Sequence, residues 1–128
     1  MSDSDAVLAA NEAFYRAFAA GDMAAMDEVW ARRAAVACTH PGWAVLRGRD
    51  AVMESWRVIL ESPGRPQISC RDAAADVVGD AAFVTCYEDV NQGILAATNV
   101  FVREDGEWRM AHHQAGPTAT QATTGVVH

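Results

Sequence analysis

The chain has 128 residues, half of them hydrophobic and 21% charged, with a formal net charge of −7. That balance is typical of one soluble globular domain, able to bury roughly two-thirds of its unfolded surface. The negative charge argues against a phosphate-backbone partner, and because every basic residue is arginine, lysine Schiff-base chemistry is excluded. Three separated cysteines, Cys38, Cys70 and Cys86, with no CxxC spacing, suit a reducing cytoplasm better than a disulfide framework. The acidic N-terminus does not read as a signal peptide, and no run reaches the ~20 apolar residues of a membrane span.

In chain order, Ser4 is positioned to cap a helix ending at Ala20, with Gly21 as its stop. Val7, Leu8, Phe14, Tyr15 and Phe18 recur at helical spacing and make one apolar stripe. Asp22 can cap a second helix with Met23, Met26, Val29 and Trp30 on its buried face, and Arg32 and Arg33 in or just past its last turn. Residues 35–39 read as a short strand broken by His40-Pro41-Gly42, and 43–46 as a short strand or extended loop. A third helix is expected from near Asp50, carrying Val52, Met53, Trp56, Ile59 and Leu60, and ended by the Pro63 to Pro66 stretch.

From Gln67 the period changes to two. Strands are expected around 67–78, 81–91, 94–104 and 107–115. Helices followed by an antiparallel meander define an α+β domain over residues 1–117, with the helices on one face of a curved sheet. Residues 118–128, rich in Thr, Ala and Gly, are expected to form a flexible tail or to cover a neighbouring subunit. The outer sheet face, with Ala96, Thr98, Val100, Val102 and Ala111, is apolar enough to require a cover, and a homodimer formed sheet to sheet provides one.

Asp105-Gly106 is a strong signal for a two-residue type I′ hairpin. An uninterrupted ladder from that turn pairs Asn99 with His112, Phe101 with Met110, Arg103 with Trp108 and Ala97 with Gln114, all on one face. That face is apolar except where Asn99, His112 and Gln114 meet, which suggests a lined pocket. His113 falls on the opposite face, toward solvent or a dimer partner. Adjacent strand histidines point apart, so no metal site is expected.

With these elements in place, the chain resembles the SnoaL-like and ketosteroid isomerase-like members of the nuclear transport factor 2-like superfamily. The resemblance rests on residues 11–23, Val29-Trp30, residues 36–42, residues 47–52, and Thr98 to Phe101 followed by Trp108 to His113. It spans about residues 5 to 117. The family implies a cone-shaped, cystatin-like fold, frequent homodimers and a pocket for a small, mostly apolar molecule. Against the ketosteroid isomerases, the oxyanion Tyr falls on Phe14 with Tyr15 one place off, the oxyanion Asp on Asn99, and the base near Cys38 or, with a longer loop, His40. None of the three roles is kept by residue type. SnoaL-like proteins are similar in a final strand that reads Trp, a His cluster, then a small residue and Pro; here Gln114 and Gly116 replace a third His and a Ser. The calmodulin-dependent kinase association domain shares this fold and oligomerises.

These readings leave two expectations open. In one, the protein binds a small organic ligand and performs cofactor-free proton transfer, with His112 or His40 moving the proton and Asn99 and Tyr15 polarising an oxyanion. Trp43, Trp56, Phe83, Tyr87, Phe101, Met110 and Gln114 would then line the pocket. In the other, the protein is a non-catalytic binding or association module in which His112, Asn99 and Gln114 hold structure. Cys38 and Cys86 read as small buried hydrophobes, and Glu88 and Asp89 as solvated strand-edge carboxylates.

Overall fold

In the computed structural model, which describes residues 2–91 and 93–118, the first helix (α1) spans Asp3–Ala20. Its cap is Ser2, whose hydroxyl accepts the Asp5 N–H at 3.1 Å, and not Ser4, which lies within the first turn. The helix ends at Gly21, whose left-handed φ of 65° lets the Asp22 N–H reach back to the Ala17 carbonyl. Asp22 caps α2 (Met23–Val29) by accepting the Ala25 N–H. Arg32 and Arg33 lie beyond that helix; Arg32 pairs with Asp27 and Glu28, and Arg33 with Asp105.

The remaining elements are β1 (Ala37–Thr39), β2 (Leu46–Arg47), α3 (Arg49–Glu61), β3 (Ile68–Val78), β4 (Ala81–Val90), β5 (Gly93–Glu104) and β6 (Glu107–Pro117). They form one curved, unclosed six-stranded sheet in the order β2-β1-β6-β5-β4-β3, with three helices packed on it. The expected antiparallel meander is present, and β1 extends it by pairing parallel to β6, Cys38 opposite His113. No helix among the described residues is long and apolar enough to cross a membrane. The residues expected to form the tail lie, from 119 onward, outside the described residues.

The core lies between α1, α3 and the concave face, around Phe14, Trp30, Trp56, Phe101 and Met110. Two polar clamps hold its base. Glu104, at the end of β5, accepts the backbone N–H groups of Arg32, Arg33 and Ala34 at 2.8–3.0 Å. Burial pushes its carboxyl up, but these three donors outweigh that and hold it below its ordinary range. Arg49, at the start of α3, donates to the carbonyls of Asp27, Trp30 and Ala31 and pairs with the Asp27 carboxylate.

The hairpin departs from an uninterrupted ladder at one place. Arg103 opposes Trp108 and Phe101 opposes Met110, as the Asp105-Gly106 turn requires, but a bulge between Val100 and Phe101 shifts the register by one. Beyond it Val100 opposes His112, Asn99 opposes His113, and Ala97 opposes Ala115. Ala111 is the extra residue, and everything after it changes face. His113 is therefore the inward histidine at 2% exposure. The expected pairs Asn99–His112 and Ala97–Gln114 do not form, and exposed Gln114 pairs with Thr98 on the outer face.

Candidate functional site

Four elements bring polar side chains to the concave face. Asn11 and Tyr15 are one helical turn apart on the buried side of α1. On β4 the inward series Ala82, Val84, Cys86 ends in Glu88, which is 2% exposed. Asn99 on β5 is fully buried, and His113 on β6 lies opposite it.

These groups form one connected network. Asn99 Nδ2 donates to Asn11 Oδ1 at 2.8 Å and to Tyr15 Oη at 3.1 Å. Tyr15 donates to Glu88 Oε2 at 2.6 Å, with the Cys86 Sγ 3.4 Å away. Because both amide hydrogens of Asn99 are committed, its Oδ1 is the acceptor for His113 Nδ1 at 2.6 Å. That assignment puts the proton on Nδ1 and leaves Nε2 as a bare acceptor, 3.9 Å from Glu88 Oε2.

The electrostatics follow from burial. With no cation hydrogen-bonded to it, Glu88 has its carboxyl pushed up by burial, and only the Tyr15 hydrogen bond opposes this. Burial likewise raises the Tyr15 phenol far above its ordinary range, and neighbouring Glu88 adds to the effect. His113 is depressed to about 3, chiefly by burial and secondarily by His40 and His112. The resting network is thus a neutral imidazole facing an acid that resists ionisation.

A second group flanks it. His40, just past β1, is 3% exposed, with Nε2 2.9 Å from Ser55 Oγ. Ser55 in turn donates to the Val52 carbonyl at 2.7 Å. Burial depresses His40 to about 4. Its ring lies 4.7 Å from that of Trp56 and 6.5 Å from that of His113. His40 is therefore part of the buried interior and not of a solvated loop. Trp56 is fully buried among Phe14, Phe18, His40 and His113, and its indole N–H has no hydrogen-bond partner among the described residues, a feature shared with Trp30 and Trp108. Trp43, 44% exposed, packs edge-on against His40 from outside.

The structure brings together Asn99, Tyr15, His40 and Trp56, with Phe101 and Met110 in the core behind them. It does not bring His112, Phe83, Tyr87 or Gln114 to this face. His112 and Phe83 both pair with Val100, Tyr87 pairs with Ala96, and all four lie on the outer face. Three residues of the network, Asn11, Glu88 and His113, were not expected there. Parity along β4 signals Glu88, since Ala82, Val84 and Cys86 have the same inward alternation. His113 had no such signal, because a bulge of one alanine decides its face. A cleft of about 490 Å³ between α1 and β3, lined by Asn11, Tyr15, Ile68 and Cys70, opens beside the network.

Comparison with known proteins agrees with this architecture. The SnoaL-like domain model matches residues 7–120, and the chain belongs to that family. A solved structure from Streptomyces avermitilis, a candidate dehydratase of the nuclear transport factor 2-like family, is similar at 34% identity. The match covers 92% of this chain and 97% of that one, with a TM-score of 0.83. A candidate calcium/calmodulin-dependent protein kinase type II association domain from Thiobacillus denitrificans is 36% identical. There the coverage is 87% and 94%, with a TM-score of 0.76. The F-box protein SKIP8 of Arabidopsis thaliana is 26% identical over 125 residues, which make up 96% of this chain and 54% of that protein. The chain thus spans about half the length of that relative.

Proposed function

We propose that this protein binds a small, mostly apolar carbonyl compound against the Tyr15–Glu88–His113–Asn99 network and moves a proton on it without a cofactor, as an isomerase, cyclase or dehydratase does. One observation carries the reading: a neutral imidazole with a free Nε2 and a carboxyl raised by burial, 3.9 Å apart. A pair in which burial disfavours charge on both groups can take a proton at one atom and return it at another. His113 Nε2 is the base and Glu88 the acid. Tyr15 and Asn99 become the neutral donors for a developing oxyanion once it replaces Glu88 and Asn11 as their acceptors. The α1–β3 cleft, of ligand size, leads to Tyr15 and Asn11. Likeness to the Streptomyces protein supports dehydration as the class, and an acid–base pair acting without a cofactor suits a β-hydroxy carbonyl as substrate. His40 flanks the pair as a second neutral imidazole. The outer sheet face, where Phe83, Thr98 and Val100 remain partly exposed, is where a second copy docks. The free cysteines fit a reducing cytoplasm.

A second reading is favoured by the 36% identity to the Thiobacillus association domain and by the ring packing around His113. In it the network is structural and the protein is an association module. The two are separated by incubating wild type and His113→Gln with a panel of β-hydroxy ketones in D2O. The expected result is α-proton exchange or enone absorbance in wild type, and its loss in the variant. No turnover across the panel, together with a ligand-free higher oligomer by native mass spectrometry, would establish the association reading instead.

A further inference from the structure

Three cysteines are present, all as free thiols, and they occupy different environments. Cys38 is fully buried, and its thiol is pushed up to about 12 by burial first and by Glu88 second. Cys70 is half-buried and forms part of the wall of the α1–β3 cleft. Its Sγ accepts the Asn11 amide at 3.7 Å, and the Cys86 thiol is an electrostatic neighbour. On the sheet, Cys70 opposes Glu88, so Cys86 is its diagonal neighbour on the same concave face.

We propose that Cys70 and Cys86 form a peroxide-responsive thiol pair, in which Cys70 is the sulfur attacked from the cleft and Cys86 the one that resolves it. The neighbouring Cys86 thiol, more than the Asn11 amide, favours the Cys70 thiolate, against a burial that opposes it. Cys86 itself is raised, first by the neighbouring Cys70 and then by burial, so it is the thiol that keeps its proton.

The chemistry needs a hydroperoxide as oxidant. The Cys70 thiolate attacks one peroxide oxygen. An S–O bond forms, the O–O bond breaks, and the departing hydroxide takes a proton to become water, leaving Cys70 as a sulfenic acid. Cys86 sulfur then attacks Cys70 sulfur. The S–S bond forms, the S–O bond breaks, and the Cys86 proton leaves with the hydroxyl as water.

Diagonal strand neighbours have Cα atoms about 7–8 Å apart, whereas a disulfide usually requires at most about 6.8 Å. β3 must therefore close by about an ångström. The place where it gives is the adjacent irregularity, where pairing is interrupted between Arg71 and Ala74 and Asp72 sits at a φ of 58°.

The test uses the whole chain and hydrogen peroxide. Cleavage after arginine places Cys38, Cys70 and Cys86 on three separate peptides. The expected result is a loss of two hydrogens and a cross-link joining the Cys70 and Cys86 peptides within one chain. In Cys86→Ser, dimedone should label Cys70. In reduced wild type, iodoacetamide should alkylate Cys70 about ten-fold or more faster than Cys38. A link that involves Cys38 or joins two chains, or a Cys70 alkylated no faster than Cys38, would overturn the proposal. So would a Cys86→Ser protein with wild-type circular dichroism that takes no dimedone.

Discussion

The most exposed consequence of the buried network is its behaviour in acid. His113 titrates near 6.5 in an unfolded chain but is held to about 3 in the fold by burial. As pH falls through 6.5 the unfolded chain takes up a proton that the folded protein refuses, so stability present above that pH drains away until the folded group also protonates near 3. At about 1.4 kcal/mol per pH unit the total is about 5 kcal/mol, a large part of the stability of an ordinary domain. His40, held to about 4, adds about 3 kcal/mol in the same direction. Glu88 works the other way: burial raises its carboxyl in the fold above the 4.5 of the unfolded chain, so the stability it contributes is present in acid and is lost as pH rises. The two refused protons contribute about 2.7 kcal/mol per pH unit to the stability slope between about pH 4.5 and 6, Glu88 subtracts from that sum, and His113→Gln should halve the histidine contribution whatever it does to absolute stability. Urea unfolding followed by tryptophan fluorescence across that range measures both slopes. Parallel wild-type and variant lines would show that His113 is not held neutral, and would remove the base from the proposed mechanism with it.

Three further outcomes follow from the clamps and the turn. Glu104→Gln should cost about 2 kcal/mol in urea unfolding at neutral pH, because a charged acceptor of three N–H groups becomes a neutral one. The deficit should shrink in acid as the wild-type carboxylate protonates. Arg49→Met should cost about 2–3 kcal/mol, and Arg49→Lys should recover less than half, since an ammonium cannot span the carbonyls of Asp27, Trp30 and Ala31 as the guanidinium fork does. Gly106→Ala, at a φ of 78° in the hairpin turn, should lower the thermal midpoint by the equivalent of about 1 kcal/mol while leaving the far-ultraviolet dichroism unchanged.

Element order and type were legible in the sequence because each rests on a local signal: the α1 stripe from Val7 to Phe18, the Asp22 cap, the change to period two after Gln67, and the Asp105-Gly106 turn. The parallel pairing of β1 with β6 was not, since it joins residues some seventy-five positions apart through a three-residue strand with no pattern of its own. The site was legible at Asn99, Tyr15 and His40. Glu88 was misread because a carboxylate on a strand ordinarily seeks water, and only the Tyr15 hydroxyl reaching across from α1 makes its burial tolerable. His113 was misread because hairpin arithmetic assumes an unbroken ladder, and nothing in Met110-Ala111-His112 announces the bulge.

That bulge gives the paired histidines a meaning beyond either residue. A strand with the extra alanine presents His113 to Asn99, and the same strand without the slip would present His112. A doublet at this position makes the site tolerant of a one-residue frame error, because both frames deliver an imidazole to the same amide. A single histidine there would tie the buried imidazole to one register. Aligning related chains by residue identity alone will therefore assign the inward column to the wrong histidine wherever the bulge is gained or lost. The strand's geometry, and not its spelling, identifies the inward one.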